Sequence, residues 1–233
     1  MTSPKHHPVF IAVDTKDFDR AQSAALLAAR LNCGIKLGLE FFIQHGPQRC
    51  AQIMEHCAQE TGAKPLFFLD LKLHDIPNTV AGGISSALAL QPDFITLHAA
   101  GGQKMMEAAA ASILEARLET GLAKTRLVAV TVLTSMDDHQ LNQTGIDRTP
   151  QEQVLALVKL AMNSGIHTIV CSPLEIEPIR QYVGDAVTLI TPGIRPKDAN
   201  SGDQQRVLTP KQAIRLGADY LVIGRPVTAS PNP

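Results

Sequence analysis

The sequence predicts one α/β domain folded as a (β/α)8 barrel. Three observations carry this: eight short apolar runs bounded by turn residues, stretches of helical period between them, and an even composition from end to end. Eight strand–helix steps in 233 residues sit at the compact end of that architecture. A doubly wound open sheet is the competing arrangement, but it more often has about five or six strands and a Gly-rich first turn. Here the first turn reads Val13-Asp14-Thr15-Lys16, without glycine.

The predicted strands are Val9–Val13, Gly34–Leu37, Leu66–Leu71, Phe94–Leu97, Leu127–Val132, Thr168–Cys171, Val187–Ile190 and Tyr220–Ile223. Most are short apolar runs rich in β-branched or aromatic residues, as expected of strands covered on both faces. Helical spacing of three and four marks Phe18–Leu31, Phe41–Glu60, Thr79–Leu90, Gln103–Glu119, Pro150–Asn163 and Pro210–Leu216. Gly62, Gly121, Gly165 and Gly217 follow helical stretches and suit left-handed caps. Residues 1–8 are expected to be loosely ordered and 9–233 to form the barrel. After Arg225-Pro226-Val227 too few residues remain before Pro233 for a full eighth outer helix, so that helix is expected to be absent or truncated.

Composition narrows the function. Hydrophobic residues make up 45% and charged residues 18%, ample for a core. Lys plus Arg number 21 against 22 Asp plus Glu, a net charge of −1. That balance argues against nucleic acid or an anionic membrane surface as partner. No apolar run reaches the roughly 18 residues of a spanning helix, and no secretory leader is visible. Cys33, Cys50, Cys57 and Cys171 are scattered without a CxxC pair, consistent with reduced thiols in the cytoplasm.

In a barrel the chemistry lies at the C-terminal ends of the strands. Reading those ends in order gives Asp14, Lys36, Asp70 with Lys72, His98, Thr131 to Thr134, Ser172, Arg195, and Gly224 with Arg225. Charges at the ends of apolar strands are costly unless paired. The densest segment runs from Leu69 to Thr79; a strand period of two sets Asp70 and Lys72 on one face. Asp75 lies just beyond, able to reach back toward Lys72 or across to a neighbouring subunit. A structural ion pair capping the strand is the alternative. Lys36, on the preceding strand, offers a second ammonium to the same carboxylates.

Two further loops, Thr191-Pro192-Gly193-Ile194-Arg195 and Ile223-Gly224-Arg225-Pro226-Val227, join glycine to arginine after strands seven and eight. Glycine lets the backbone approach an anion and guanidinium forks to two oxygens, so the pair predicts a phosphorylated ligand. The polar stretch Pro196 to Arg206 reads as a closing lid or as an ordinary surface loop. Histidines lack ligand spacing and no metal site stands out. His98 is the one imidazole at a strand end, where a hydrogen-bonded structural role is the simpler expectation.

These segments resemble the orotidine 5′-phosphate decarboxylases, the bacterial branch in particular. The resemblance rests on Phe10-Ile11-Ala12-Val13-Asp14, Lys36-Leu37-Gly38, Asp70 through Thr79, Thr131 through Ser135, Thr191 through Arg195, Gly202-Asp203-Gln204 and Ile223 through Pro226. It implies a homodimeric barrel converting orotidine 5′-monophosphate to uridine 5′-monophosphate and CO2, in UMP biosynthesis, without metal or organic cofactor. By matching positions, Lys72 would protonate C6 of the pyrimidine, with Asp70 beside the leaving carboxylate. Asp75 would come from the other subunit. Asp14 and Lys36 would hold the ribose hydroxyls, helped by the partner's Thr79, with Ile76 also at the substrate. Thr134 would meet the pyrimidine edge. Arg195, Gln204, Gly224 and Arg225 would bind the phosphate. Related barrels use a similar Asp-x-Lys-x-x-Asp array with magnesium on sugar phosphates, such as 3-keto-gulonate 6-phosphate decarboxylases. A non-catalytic nucleotide-binding barrel is the remaining alternative.

Overall fold

The computed structural model describes residues 7–120, 124–195 and 208–230. Eight parallel strands close into a barrel in chain order: β1 Val9–Val13, β2 Gly34–Gly38, β3 Phe67–Leu73, β4 Phe94–His98, β5 Arg126–Val130, β6 Thr168–Val170, β7 Thr188–Thr191 and β8 Tyr220–Ile223. Each predicted strand is present, shifted by two residues at most. β8 pairs with β1 through Val9↔Leu221 to Ile11↔Ile223, which closes the sheet. His7 N–H donates to the Asn32 carbonyl at 2.9 Å, and the Pro8 carbonyl accepts from Leu221 N–H at 2.9 Å. The loose N-terminus expected from sequence therefore does not include residues 7 and 8; residues 1–6 lie outside the described residues.

The outer layer contains α1 Phe18–Arg30, α2 Leu39–Thr61, α3 Pro77–Ala87, α4 Gln103–Thr120, α5 Asp138–Gln143, α6 Pro150–Asn163, α7 Ile176–Val183, α8 Pro210–Leu216 and α9 Arg225–Thr228. Side-chain caps start several of them. Asp17 accepts Arg20 N–H at the head of α1, while Thr149 with Glu152 and Thr209 with Gln212 form capping boxes ahead of Pro150 and Pro210. Gly62 and Gly217 take left-handed caps, as predicted; Gly121 lies outside the described residues. α5 and α7 were not among the predicted helices. α5 is six residues long, and α7 follows a 3-10 turn at Pro173–Glu175 that blurs its start. α2 is broken at Gly46 (φ 72°, ψ 178°) ahead of Pro47, where one continuous helix was expected. No helix among the described residues is long and apolar enough to cross a membrane.

The core has two parts. The larger fills the space between barrel and helices, including Ala21, Ala25 and Ala28 of α1 and Ile53 and Cys57 of α2. The smaller lies inside the barrel at its N-terminal end, where Phe10, Phe68, Phe94, Val128 and Ile190 converge with Tyr220 packed against them. Phe10 meets Phe68 and Phe94 edge-on, at centroid distances of 5.3 and 5.4 Å. Gly34 makes room for this plug: a Cβ there would lie 2.4 Å from the Phe10 ring. Because successive inward side chains on a strand are two residues apart, the plug fixes what comes next. Lys36, Asp70 and Thr96 follow Gly34, Phe68 and Phe94 by one such step, one layer higher.

Candidate active site

Inside the C-terminal mouth, four charged side chains alternate in sign. Lys36 Nζ lies 3.3 Å from Asp14 Oδ1 and 3.3 Å from Asp70 Oδ2, and Lys72 Nζ lies 2.8 Å from Asp70 Oδ1. Lys36 and Asp70 are buried, with side chains only 9% and 11% exposed, whereas Asp14 is open to solvent. Gly38 accommodates the pair beside it, since a Cβ there would stand 3.1 Å from Asp14 Oδ1 and 3.2 Å from Lys36 Nζ. Burial disfavours the Asp70 carboxylate, yet the Lys36 and Lys72 ammoniums outweigh that and hold its carboxyl below the usual carboxylate range. Burial likewise opposes the Lys36 charge, but Asp70 and Asp14 overcome it and raise the ammonium above the ordinary lysine range. The result is a fixed field of paired charge, not a set of mobile surface ions.

The expected alternation of Asp70 and Lys72 needs correction in its cause. Pairing between β3 and β4 jumps from Leu69↔Ile95 to Leu73↔Leu97, so β3 carries two surplus residues. Lys72 adopts φ 51° within this bulge. Its ammonium nevertheless returns to Asp70. Thr96 of β4, which sequence reasoning passed over, takes part in this: its Oγ1 accepts Lys72 N–H at 2.8 Å and donates to Asp70 Oδ1 at 3.1 Å. The available signal was the inward series Phe94, Thr96, His98.

Lys36, Asp70, Lys72, Thr134 and Pro192 line one cavity of about 160 Å³, walled otherwise mainly by apolar side chains including Val130, Val170 and Cys171. Burial pushes the Cys171 thiol up, away from ionisation. Gly224 sits on the same rim, where a Cβ would lie 4.0 Å from Asp14 Oδ2. Arg195, buried, follows β7, and exposed Arg225 opens α9 after β8. Asp75, Ile76 and Thr79 are exposed at the β3–α3 junction and stand outside this cavity. Asp75 does not reach back to Lys72; its Oδ1 accepts Ile76 N–H at 2.6 Å. Gln204 and the expected lid, Pro196 to Arg206, lie outside the described residues. The His98 imidazole makes no hydrogen bond among the described residues, contrary to expectation. Its ring instead lies 5.5 Å from that of His74.

A larger cavity of about 740 Å³ opens at the N-terminal end, beside Lys64, Asp93 and Thr125. Two of its charged groups are engaged by the framework. Asp93 Oδ2 accepts Phe67 N–H at 2.7 Å, and Lys64 Nζ donates to the Gln91 carbonyl at 3.1 Å. Size alone does not make it the reactive site.

A (β/α)8 barrel with sign-alternating lysines and aspartates at its C-terminal mouth, built around the buried pair Lys36 and Asp70, is an enzyme scaffold with a preorganised electrostatic site. Residues 7–233 match the model of the orotidine 5′-phosphate decarboxylase / HUMPS family, and the chain belongs to that family. It is 44% identical over 236 residues to the orotidine 5′-phosphate decarboxylase of Rhodospirillum rubrum, spanning 100% of this chain and 92% of that protein. With the corresponding protein of Thermobifida fusca it shares 45% over 226 residues, 97% of this chain and 91% of the relative. The crystal structure of orotidine 5′-phosphate decarboxylase from Lactobacillus acidophilus superposes with a TM-score of 0.81 at 34% identity, covering 97% of this chain and 93% of that one.

Proposed function

We propose that this chain decarboxylates orotidine 5′-monophosphate to uridine 5′-monophosphate, with Lys72 as the proton donor. The observation that carries the proposal is the unbroken series Asp14–Lys36–Asp70–Lys72 at the C-terminal mouth, with Lys36, Asp70 and Lys72 lining the cavity. Breaking the bond between C6 and the carboxyl carbon releases CO2 and leaves the electron pair in the ring plane, where no carbonyl conjugates with it. Fixed positive charge at that point has to stabilise the pair. The Lys72 ammonium supplies the charge and then its proton, which forms the C6–H bond of the product. At an effective dielectric of 20 and about 4 Å, one such contact is worth about 4 kcal/mol. Asp70 holds Lys72 in place and stands beside the departing carboxylate.

The remaining groups divide by position on the rim. Thr134 faces the pyrimidine edge from the cavity wall, and Asp14 with Lys36 meets the ribose hydroxyls. Arg195, Gly224 and Arg225, together with Gln204, take the phosphate through guanidinium forks and backbone N–H groups. Asp75 and Thr79 serve the active site of a second copy in a homodimer, which accords with their exposure and with Asp75 having no ion pair among the described residues, and Ile76 also meets the substrate. Cys33, Cys50, Cys57 and Cys171 are free thiols, as suits a reducing cytoplasm.

The test is loss of orotate absorbance when the purified chain meets orotidine 5′-monophosphate in excess EDTA. Turnover is expected. Absence of turnover in a folded dimer, restored by magnesium and a keto-sugar phosphate, would transfer the chain to the metal-dependent sugar-phosphate branch.

A further inference from the structure

Thr96 is fully buried on β4, one inward step above the aromatic plug. The two contacts of its hydroxyl fix the position of its single proton. A backbone N–H only donates, so Oγ1 accepts from Lys72; a carboxylate only accepts, so the Oγ1 proton points to Asp70. The contact to Lys72 replaces a strand hydrogen bond. Where β3 carries surplus residues, the Lys72 N–H has no β4 carbonyl partner, and its positive φ is a conformation that a lysine adopts only when its surroundings hold it there. The contact to Asp70 fixes the carboxylate. Oδ1 receives both Thr96 and the Lys72 ammonium, while Oδ2 faces Lys36. One hydroxyl therefore ties the backbone of Lys72 to the carboxylate that holds the end of the same side chain.

We propose that Thr96 is a positioning residue, setting the angle at which Lys72 presents its ammonium to the cavity. It touches no reacting atom and acts through Lys72 and Asp70. The inference rests on the decarboxylase reading above.

Two pairs of variants isolate the hydroxyl in the full chain. Thr96→Val replaces it with a methyl group of similar volume, and Thr96→Ser compared with Thr96→Ala differs by the hydroxyl alone. In Thr96→Val, kcat should fall about tenfold or more while KM stays within about twofold. Thr96→Ser should retain turnover within about threefold, and Thr96→Ala should fall with Thr96→Val. The Lys72 backbone amide should lose hydrogen-exchange protection in Val and Ala and keep it in Ser. The acid limb of the pH profile should move to higher pH in the two variants lacking the hydroxyl, because Asp70 loses a donor. Should Thr96→Val not fold, the Ser and Ala pair carries the test. Equal kcat in Ser and Ala, or unchanged Lys72 protection in a variant lacking the hydroxyl, overturns the proposal. A wild-type chain that leaves orotidine 5′-monophosphate untouched would instead refute the decarboxylase reading, and the exchange data would still report whether the hydroxyl holds the bulge.

Discussion

The two ends of the barrel interior are built by the same strands and differ in nearly every physical respect. At the N-terminal end Phe10, Phe68, Phe94 and Tyr220 pack edge-on or tilted at 5.3 to 5.9 Å, and Arg126 caps the Phe94 ring at 4.1 Å. At the C-terminal end Lys36, Asp70 and Lys72 replace those rings. The lower layer gains from every ring it buries, because apolar contact has little directional requirement. The upper layer takes charge out of water, which is unfavourable unless each ion meets its partner at short range. Cohesion is thus concentrated below and reactivity above. This is the arrangement that lets a fixed field persist without solvent reorganisation.

Lys72→Ala should separate the two ends most sharply. Removing the proposed proton donor is expected to lower turnover by about 10²–10⁴-fold or more, with only a modest fall in the urea midpoint, because Lys72 is partly exposed and Asp70 keeps Lys36 as its buried partner. Binding of uridine 5′-monophosphate, measured by calorimetry, should survive. Near-wild-type turnover would end the proton-donor assignment.

Asp70→Asn should affect both layers. Lys36 would then remain buried with only solvent-open Asp14 as its partner, a loss of about 3 kcal/mol by analogy with broken buried pairs. Turnover should fall as well, since Lys72 loses its anchor. Full stability by urea titration would mean that Asp14 alone satisfies Lys36. Gly34→Ala reverses the pattern. Its Cβ collides with the Phe10 ring, so overpacking should cost about 1–3 kcal/mol. The kcat of the folded fraction should stay within about twofold, and a large kcat loss would show that strain in the plug propagates upward to Lys36.

Legibility in the sequence follows the same division. All eight strands could be read because their apolar runs are short, β-branched or aromatic, and punctuated by glycine and polar turns. The charged residues Asp14, Lys36, Asp70 and Lys72 stood out because charge inside such runs requires a partner. Thr96 did not stand out, since a threonine in a strand is ordinary; only the bulge on the neighbouring strand gives its hydroxyl two tasks. The break in α2 was present as Gly46-Pro47 but was masked by helical spacing on either side. The reach of Asp75 could not be settled from spacing, because a residue just past a strand is placed by the turn that follows it.

The smallest expected effect concerns His98, at the border of the charged layer. Burial, then the charges of His74 and Lys72, push its imidazole below the ordinary histidine range, with Asp70 opposing. As pH falls below about 6.5, the unfolded chain takes up this proton before the folded one does. The stability linked to His98 is therefore complete above that pH and declines as the solution is acidified toward the lower folded value. Asp70, also depressed, loses its contribution only below about pH 4 and does not confuse this window. His98→Asn removes the titration, so urea unfolding at pH 7.5, 6.0 and 5.0 should show a flatter acid decline in the variant. The difference should amount to about 1 kcal/mol or less. Parallel declines in the two proteins would mean that the imidazole is protonated as readily in the barrel as in the unfolded chain, and that His98 stands beyond the charged layer, in contact with water.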